Sequence, residues 1–282
     1  MALLALVSSL LWGTADYIGG VLSRRCPALL VVAVVQVVGL VLAGSLLLLR
    51  RDAPFGPYLL LAAGAGAAIA VALSAFYQAL AVGTMGVVAP IAATGVAVPV
   101  VVSWAQGDRP GALATGGILL AASGVVLASG LDLRHGGASR AAFGLAFLAA
   151  LGFGSVLVLV DRATSGEGSS TLAVLAVMRA TGAVLTIATV ALRRTPLTVR
   201  RADVPTLVLA GGCDLGAVGL YAVAASGAAD LAVVAVLASL YPVVTALLAR
   251  RLLAERMRRS QVAGVVAALT GVVLIAGSGG AG

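Results

Sequence analysis

Ten apolar stretches, each of about 20 residues and almost free of charge, follow one another along the 282-residue chain. A helix needs about 20 apolar residues to cross the hydrocarbon core of a bilayer, so this pattern dictates most of what the chain can become. The stretches cover residues 2–22, 28–49, 58–82, 84–105 and 111–130, then 141–160, 171–192, 204–226, 229–248 and 261–277. Charged and turn-forming residues gather in the gaps, as in Arg24-Arg25-Cys26-Pro27 and Arg50-Arg51-Asp52-Ala53-Pro54. No gap is long enough for a separate soluble domain, so any chemistry lies within or between helices. The strands of a membrane barrel alternate polar and apolar residues over about ten positions, whereas these stretches are apolar on every side. In lipid, a helix satisfies such a backbone within a single segment. The expected fold is therefore an all-α polytopic membrane protein of ten transmembrane helices.

Composition narrows the function. Apolar residues make up 61% of the chain and charged residues 10%, against roughly a quarter charged in a soluble domain. This excludes a soluble enzyme and a disordered chain. The net charge of +8 comes entirely from Arg. These residues flank apolar stretches, which reads as membrane-edge charge rather than a nucleic-acid surface. The N-terminus lacks a basic leader and reads as the first span, not a cleaved signal. Cys26 and Cys213 stand far apart, one in a gap and one mid-span, and form no disulfide framework. The only His, His135, sits in a short polar gap. There is no G-x-S-x-G, H-E-x-x-H, C-x-x-C or Walker motif, so no enzyme, metal or cofactor is expected.

The chain also repeats itself. An offset of 143 aligns Leu29 with Leu172, Gly39 with Gly182, Arg50-Arg51 with Arg193-Arg194, and Pro99 with Pro242, and sets Gln36 opposite Arg179. An offset of 147 aligns Asp108-Arg109 with Glu255-Arg256, Gly117 with Gly264 and Gly124 with Gly271. Glycine, proline and paired arginine in register across four span pairs indicate duplication, with residues 1–135 as one repeat and 136–282 as the other. Each repeat holds five spans. Because five is odd, the second repeat starts from the opposite side of the membrane, and the halves are expected to be inverted. Inverted repeats are the architecture of secondary transporters, which expose a central site to each side in turn.

Trp12-Gly13, Tyr77-Gln78-Ala79-Leu80, Pro99 and Gly107-Asp108-Arg109-Pro110, echoed by Pro242 and Glu255-Arg256, resemble the EamA-type drug/metabolite transporters. The resemblance covers essentially the whole chain, as two copies of a five-helix unit. It implies a central cavity lined by spans 1, 3, 4, 6, 8 and 9, with spans 5 and 10 peripheral, and export or exchange of small metabolites. The chain departs from the family pattern at Asp108, where the family usually carries Glu. Asp16 and Asp214 are not family signatures, so roles for them rest on physics.

An ionisable side chain inside a membrane costs about 2.5–3.5 kcal/mol on insertion scales and asks for a reason. Asp214 lies near the middle of span 8. Arg179 lies roughly 12 Å into span 7, and Asp16 roughly 9 Å from the end of span 1. Asp214 and Arg179 could line the cavity as a pair, Asp214 carrying a proton during transport, or form a purely structural ion pair; snorkelling is a further reading for Arg179. Asp230 reads as a helix N-terminal charge. Trp12 and Asp16 share one face of span 1, Tyr77 and Gln78 belong to a polar face of span 3, and Tyr221 shares a face with Asp214. Ser239 and Tyr241 flank Pro242. These are the candidate cavity residues, and Pro99 and Pro242 are the candidate gating bends.

The expected function is a secondary transporter of a small organic metabolite in a bacterial inner membrane, with proton coupling and facilitated efflux both open. A non-transporting scaffold or sensor is the alternative. The expected partners are the lipid bilayer and the substrate, with no nucleic acid, and the protein is a monomer or homodimer. Thirteen of the 18 Arg lie in gaps that would face the cytoplasm if both termini were outside, whereas the family resemblance implies termini inside. Orientation stays open.

Overall fold

A computed structural model describes residues 1–50, 56–107, 111–129, 137–165, 169–226, 231–255 and 257–278. Asp108, Arg109, His135, Asp230 and Arg256 lie outside the described residues. Among those described, the regular structure is helical with no strand. The helices are α1 (Ala2–Ser23), α2 (Ala28–Arg50), α3 (Tyr58–Val82), α4 (Met85–Ala93), α5 (Ala97–Ala105), α6 (Ala112–Ser129), α7 (Gly137–Thr164), α8 (Thr171–Leu192), α9 (Val204–Ser226), α10 (Leu231–Ala238), α11 (Tyr241–Leu252) and α12 (Arg259–Ser278).

Eight helical segments are long and apolar enough to cross a membrane: α1, α2, α3, α4 with α5 as Met85–Ala105, most of α7, α8, α9 with its leading turn, and α12. Helix α6 carries a shorter apolar segment, Ala112–Leu127. The ninth stretch does not form one helix. It is divided between the eight-residue α10 and the twelve-residue α11.

Proline explains both interruptions. Pro99 has no N–H for the carbonyl four residues back, and a 3-10 turn at Thr94–Val96 separates α4 from α5. Pro242 stands at the start of α11, immediately after the break at Ser239 and Leu240. A hydroxyl closes each break. Thr94 Oγ1 donates to the Ile91 carbonyl at 2.7 Å, and Ser239 Oγ donates to the Val236 carbonyl at 2.7 Å.

Large apolar side chains such as Leu3, Leu48, Leu60, Leu119 and Leu192 lie on the outside. That is the surface expected of a protein whose solvent is lipid. Contacts between helices rely on small residues, which let backbones approach closely. The largest buried cluster among the described residues draws on α1 to α4, α6, α7, α9, α11 and α12, and in it Val31, Val35, Phe76, Leu80, Met85 and Ile91 are almost wholly enclosed. Phe76 also meets Phe153 of α7 edge-on, with ring centroids 5.5 Å apart.

Candidate membrane-embedded site

The centre of the molecule is a polar cluster. Arg179 of α8 is 4% exposed. Its Nη2 lies 2.6 Å from Asp214 Oδ2 of α9, and its Nη1 donates to Gln36 Oε1 of α2 at 2.8 Å. The contact to Asp214 is an ion pair rather than an aligned hydrogen bond, since Oδ2 accepts none. Gln36 is completely buried, and its Nε2, like Arg179 Nε, has no protein partner. The side chains come together because small residues surround them. Gly39 lies under the aliphatic part of Arg179, and Gly182 lies against the Gln36 amide. A Cβ added at Gly39 would fall 3.1 Å from Arg179 Cδ.

Asp16 of α1 lies within electrostatic reach of Asp214. Unlike Asp214, it has no cationic partner among the described residues. Tyr77 of α3 is 1% exposed. Its ring packs on Gly19 of α1, and it senses the charges of Asp16, Asp214 and Arg179. Trp12, one turn from Asp16, holds two further rings. Tyr221 of α9 lies 5.8 Å away at 44°, and Tyr241 of α11 lies 6.2 Å away at 63°. Trp12, Asp16, Asp214, Tyr221 and Tyr241 all keep partial exposure despite their depth. The ring contacts join α1, α9 and α11 at this level.

The structure thus brings together Trp12, Asp16, Tyr77, Arg179, Asp214, Tyr221 and Tyr241. Gln78 is exposed, a third of a turn away from the buried Tyr77, and stands apart from the group. Ser239 commits its hydroxyl to its own helix at the break before α11. Pro99 and Pro242 lie beside the two helix breaks. Cys26 and Cys213 are both free thiols.

Two features escape a reading of single spans. Gln36 belongs to the cluster, and the one signal for it was its register opposite Arg179. The second feature is a lock at one end of the bundle. Arg24 Nη2 pairs with Glu255 Oε1 at 2.7 Å and donates to the Gly83 carbonyl at 3.1 Å, while Arg24 Nε donates to the Leu80 carbonyl at 3.3 Å. Glu255 Oε2 accepts from the Gly86 N–H at 3.4 Å. One ion pair therefore ties the end of α1, the α3–α4 junction and the segment after α11.

Comparison with known proteins agrees with this picture. The EamA-like transporter family matches residues 140–277, which is consistent with a member of the drug/metabolite transporter superfamily. A solved crystal structure titled only as that of a protein superimposes with a TM-score of 0.67, over 97% of this chain and 95% of that one, at 16% identity. No curated protein matches the chain significantly.

Proposed function

We propose that the chain is a secondary transporter of the drug/metabolite superfamily that moves a small organic solute by alternating access between two inverted five-span repeats. In this reading α4 with α5 forms the fourth span, α6 the fifth, α7, α8 and α9 the next three, α10 with α11 the ninth and α12 the tenth. The supporting observation is an exchange of neighbours. Helix α1 packs on α9 as α7 packs on α3. Helix α2 packs on α9 as α8 packs on α3. Helix α1 packs on α10 and α11, on both sides of the one break, as α7 packs on α4 and α5, on both sides of the other.

Glycines mark the same exchange. A Cβ on Gly13 would fall 2.5 Å from Val244 Cβ and 2.6 Å from the Tyr241 carbonyl, and a Cβ on Gly154 would collide with Gly95 and Val98. Gln36 and Arg179, separated by the repeat offset of 143, bond each other directly. Equivalent residues can touch only near the axis that relates them, so this bond supports a two-fold axis through the polar cluster. A polar site on the axis between two interchangeable halves is what alternating access requires.

The broken helices beside Pro99 and Pro242 are the natural bending points, and the Arg24–Glu255 lock is the contact that must open at its end of the bundle. Charge-assisted hydrogen bonds contribute about 1.5–3 kcal/mol each when well shielded; partial exposure of this pair favours the lower figure. Glu255→Ala is therefore expected to speed backbone hydrogen exchange by about tenfold in the segment 83–88 and around Arg24. Unchanged exchange there would remove the lock from the mechanism. Transport itself is tested with purified protein in liposomes. Accumulation of a solute from a panel of amino acids, sugars and organic cations is expected, and no flux across the panel would favour the scaffold or sensor reading.

A further inference from the structure

We propose that the space bounded by α1, α9 and α11 binds an organic cation with an apolar body, its charge facing Asp16 and its body against Trp12, Tyr221 and Tyr241. The proposal rests on the transporter reading for its purpose, but not for its test.

Three rings from three helices meet at 44° and 63°, so neither tyrosine stacks face to face on Trp12, and all three rings keep partial exposure. Aromatic faces set around a charged group are the arrangement that attracts a cation, through the negative potential of each ring face. Asp16 projects from the same face of α1 as Trp12, one turn on, and Tyr241 lies within reach of its charge. Tyr77, seated on Gly19, bounds the side toward α3.

Charge accounting selects the ligand. The single arginine in the middle of a span is already used, since Arg179 holds Asp214 at 2.6 Å and Gln36 at 2.8 Å and is 4% exposed. An anion would enter beside Asp16 with no free cation to meet it. A zwitterion would face the same difficulty at its carboxylate end. A cation meets the one carboxylate in the cluster that lacks a positive partner among the described residues, and desolvation strengthens that pairing.

The test uses the protein's own fluorescence. The chain has two Trp. Trp104 is 64% exposed on α5 and makes no ring contact with Trp12, Tyr221 or Tyr241 among the described residues, so Trp104→Phe leaves Trp12 as the only reporter. Three probes share a body and differ in charge: phenethylammonium, 2-phenylethanol and phenylacetate. Titrated into the detergent-solubilised full chain, phenethylammonium is expected to change Trp12 emission saturably. The neutral and anionic probes are expected to bind weaker by about tenfold or more. Asp16→Asn is expected to erase that preference and Asp16→Glu to keep it. Equal binding of all three probes, an undiminished preference in Asp16→Asn, or no saturable signal from phenethylammonium at millimolar concentration would overturn the proposal. Because the probe series is run on the unaltered site, the result does not depend on any Asp16 variant folding. Saturable, charge-selective binding without flux in liposomes would leave this site standing and remove the transport reading. Flux of other solutes without cation binding would do the reverse.

Discussion

Asp214→Asn is expected to destabilise the protein by about 3–5 kcal/mol, the usual cost of removing one partner of a buried ion pair. Arg179→Gln is expected to cost less. The asymmetry follows from what each survivor can do. A carboxylate left alone can become neutral by taking a proton, whereas a guanidinium keeps its charge at any accessible pH. With the Asp214 charge gone, Arg179 would remain 4% exposed with only neutral carbonyl groups, that of Gln36 at 2.8 Å among them, to answer its charge. Arg179→Met combined with Asp214→Leu removes both charges and should recover most of the loss, because apolar residues of similar volume often replace a buried pair at little cost. Unfolding of the four proteins in detergent, followed by helical signal, compares the cost of leaving one charge unpaired with the cost of removing both. A double variant no more stable than Asp214→Asn would mean that the 2.6 Å contact does not govern stability. The same series separates stability from transport. If Asp214 serves chiefly as the counter-ion of Arg179, the double variant regains stability, and cation binding at Asp16 survives with it.

Much of this arrangement was legible in the residues. Eight of the spans followed from the length of the apolar stretches, because lipid leaves the backbone no alternative to a helix. Pro99 and Pro242, matched in register, were read as bends, and helix breaks stand beside both; the register of Gln36 against Arg179 gave no sign that the two would bond. Less was legible where the answer depends on rotation about a helix axis. Tyr77 and Gln78 are adjacent, yet one is almost wholly enclosed and the other exposed. In an apolar helix, with lipid on one side and protein on the other, hydropathy hardly distinguishes the two faces. The ninth stretch read as continuous because its residues are uniformly apolar, and the break before Pro242 depends on backbone bonding rather than hydropathy. Arg24 and Glu255 stood in separate gaps 231 residues apart, and no spacing rule joins residues brought together only by packing. Arg179 and Asp214 were visible as intramembrane charges. That their pairing leaves Asp16 as the carboxylate without a cation depends on how the helices pack.

Gly124→Ala is expected to destabilise the protein, against the ordinary preference of a helix for alanine over glycine. In an exposed helix interior that exchange gains up to about 1 kcal/mol. At Gly124 the added Cβ would lie 2.7 Å from the Gly264 carbonyl and 2.8 Å from Ala268 Cα, both on α12. These are backbone atoms, so no rotamer change can make room, and α6 would have to move away from α12. The cost extends beyond one residue. Helices α6 and α12 form the most extensive helix contact among the described residues, and α6 touches little else. The contact is also reciprocal: Gly117 approaches the Gly271 carbonyl as Gly124 approaches that of Gly264, so spreading one crossing opens the other. Overpacking of a tight interface costs about 1–3 kcal/mol, and Gly124→Leu should exceed that range by freeing α6 from the bundle. Gly116 is the matched control, on the same helix with nothing within 4 Å of an added Cβ; there Gly116→Ala should be neutral or stabilising. Unfolding in detergent, together with protease sensitivity of α6, distinguishes the two positions. Equal behaviour of Gly116→Ala and Gly124→Ala would show that α6 is not held through its glycines. The sign of the difference isolates close packing from helix propensity, since the two substitutions change propensity alike and differ only in what the methyl group meets.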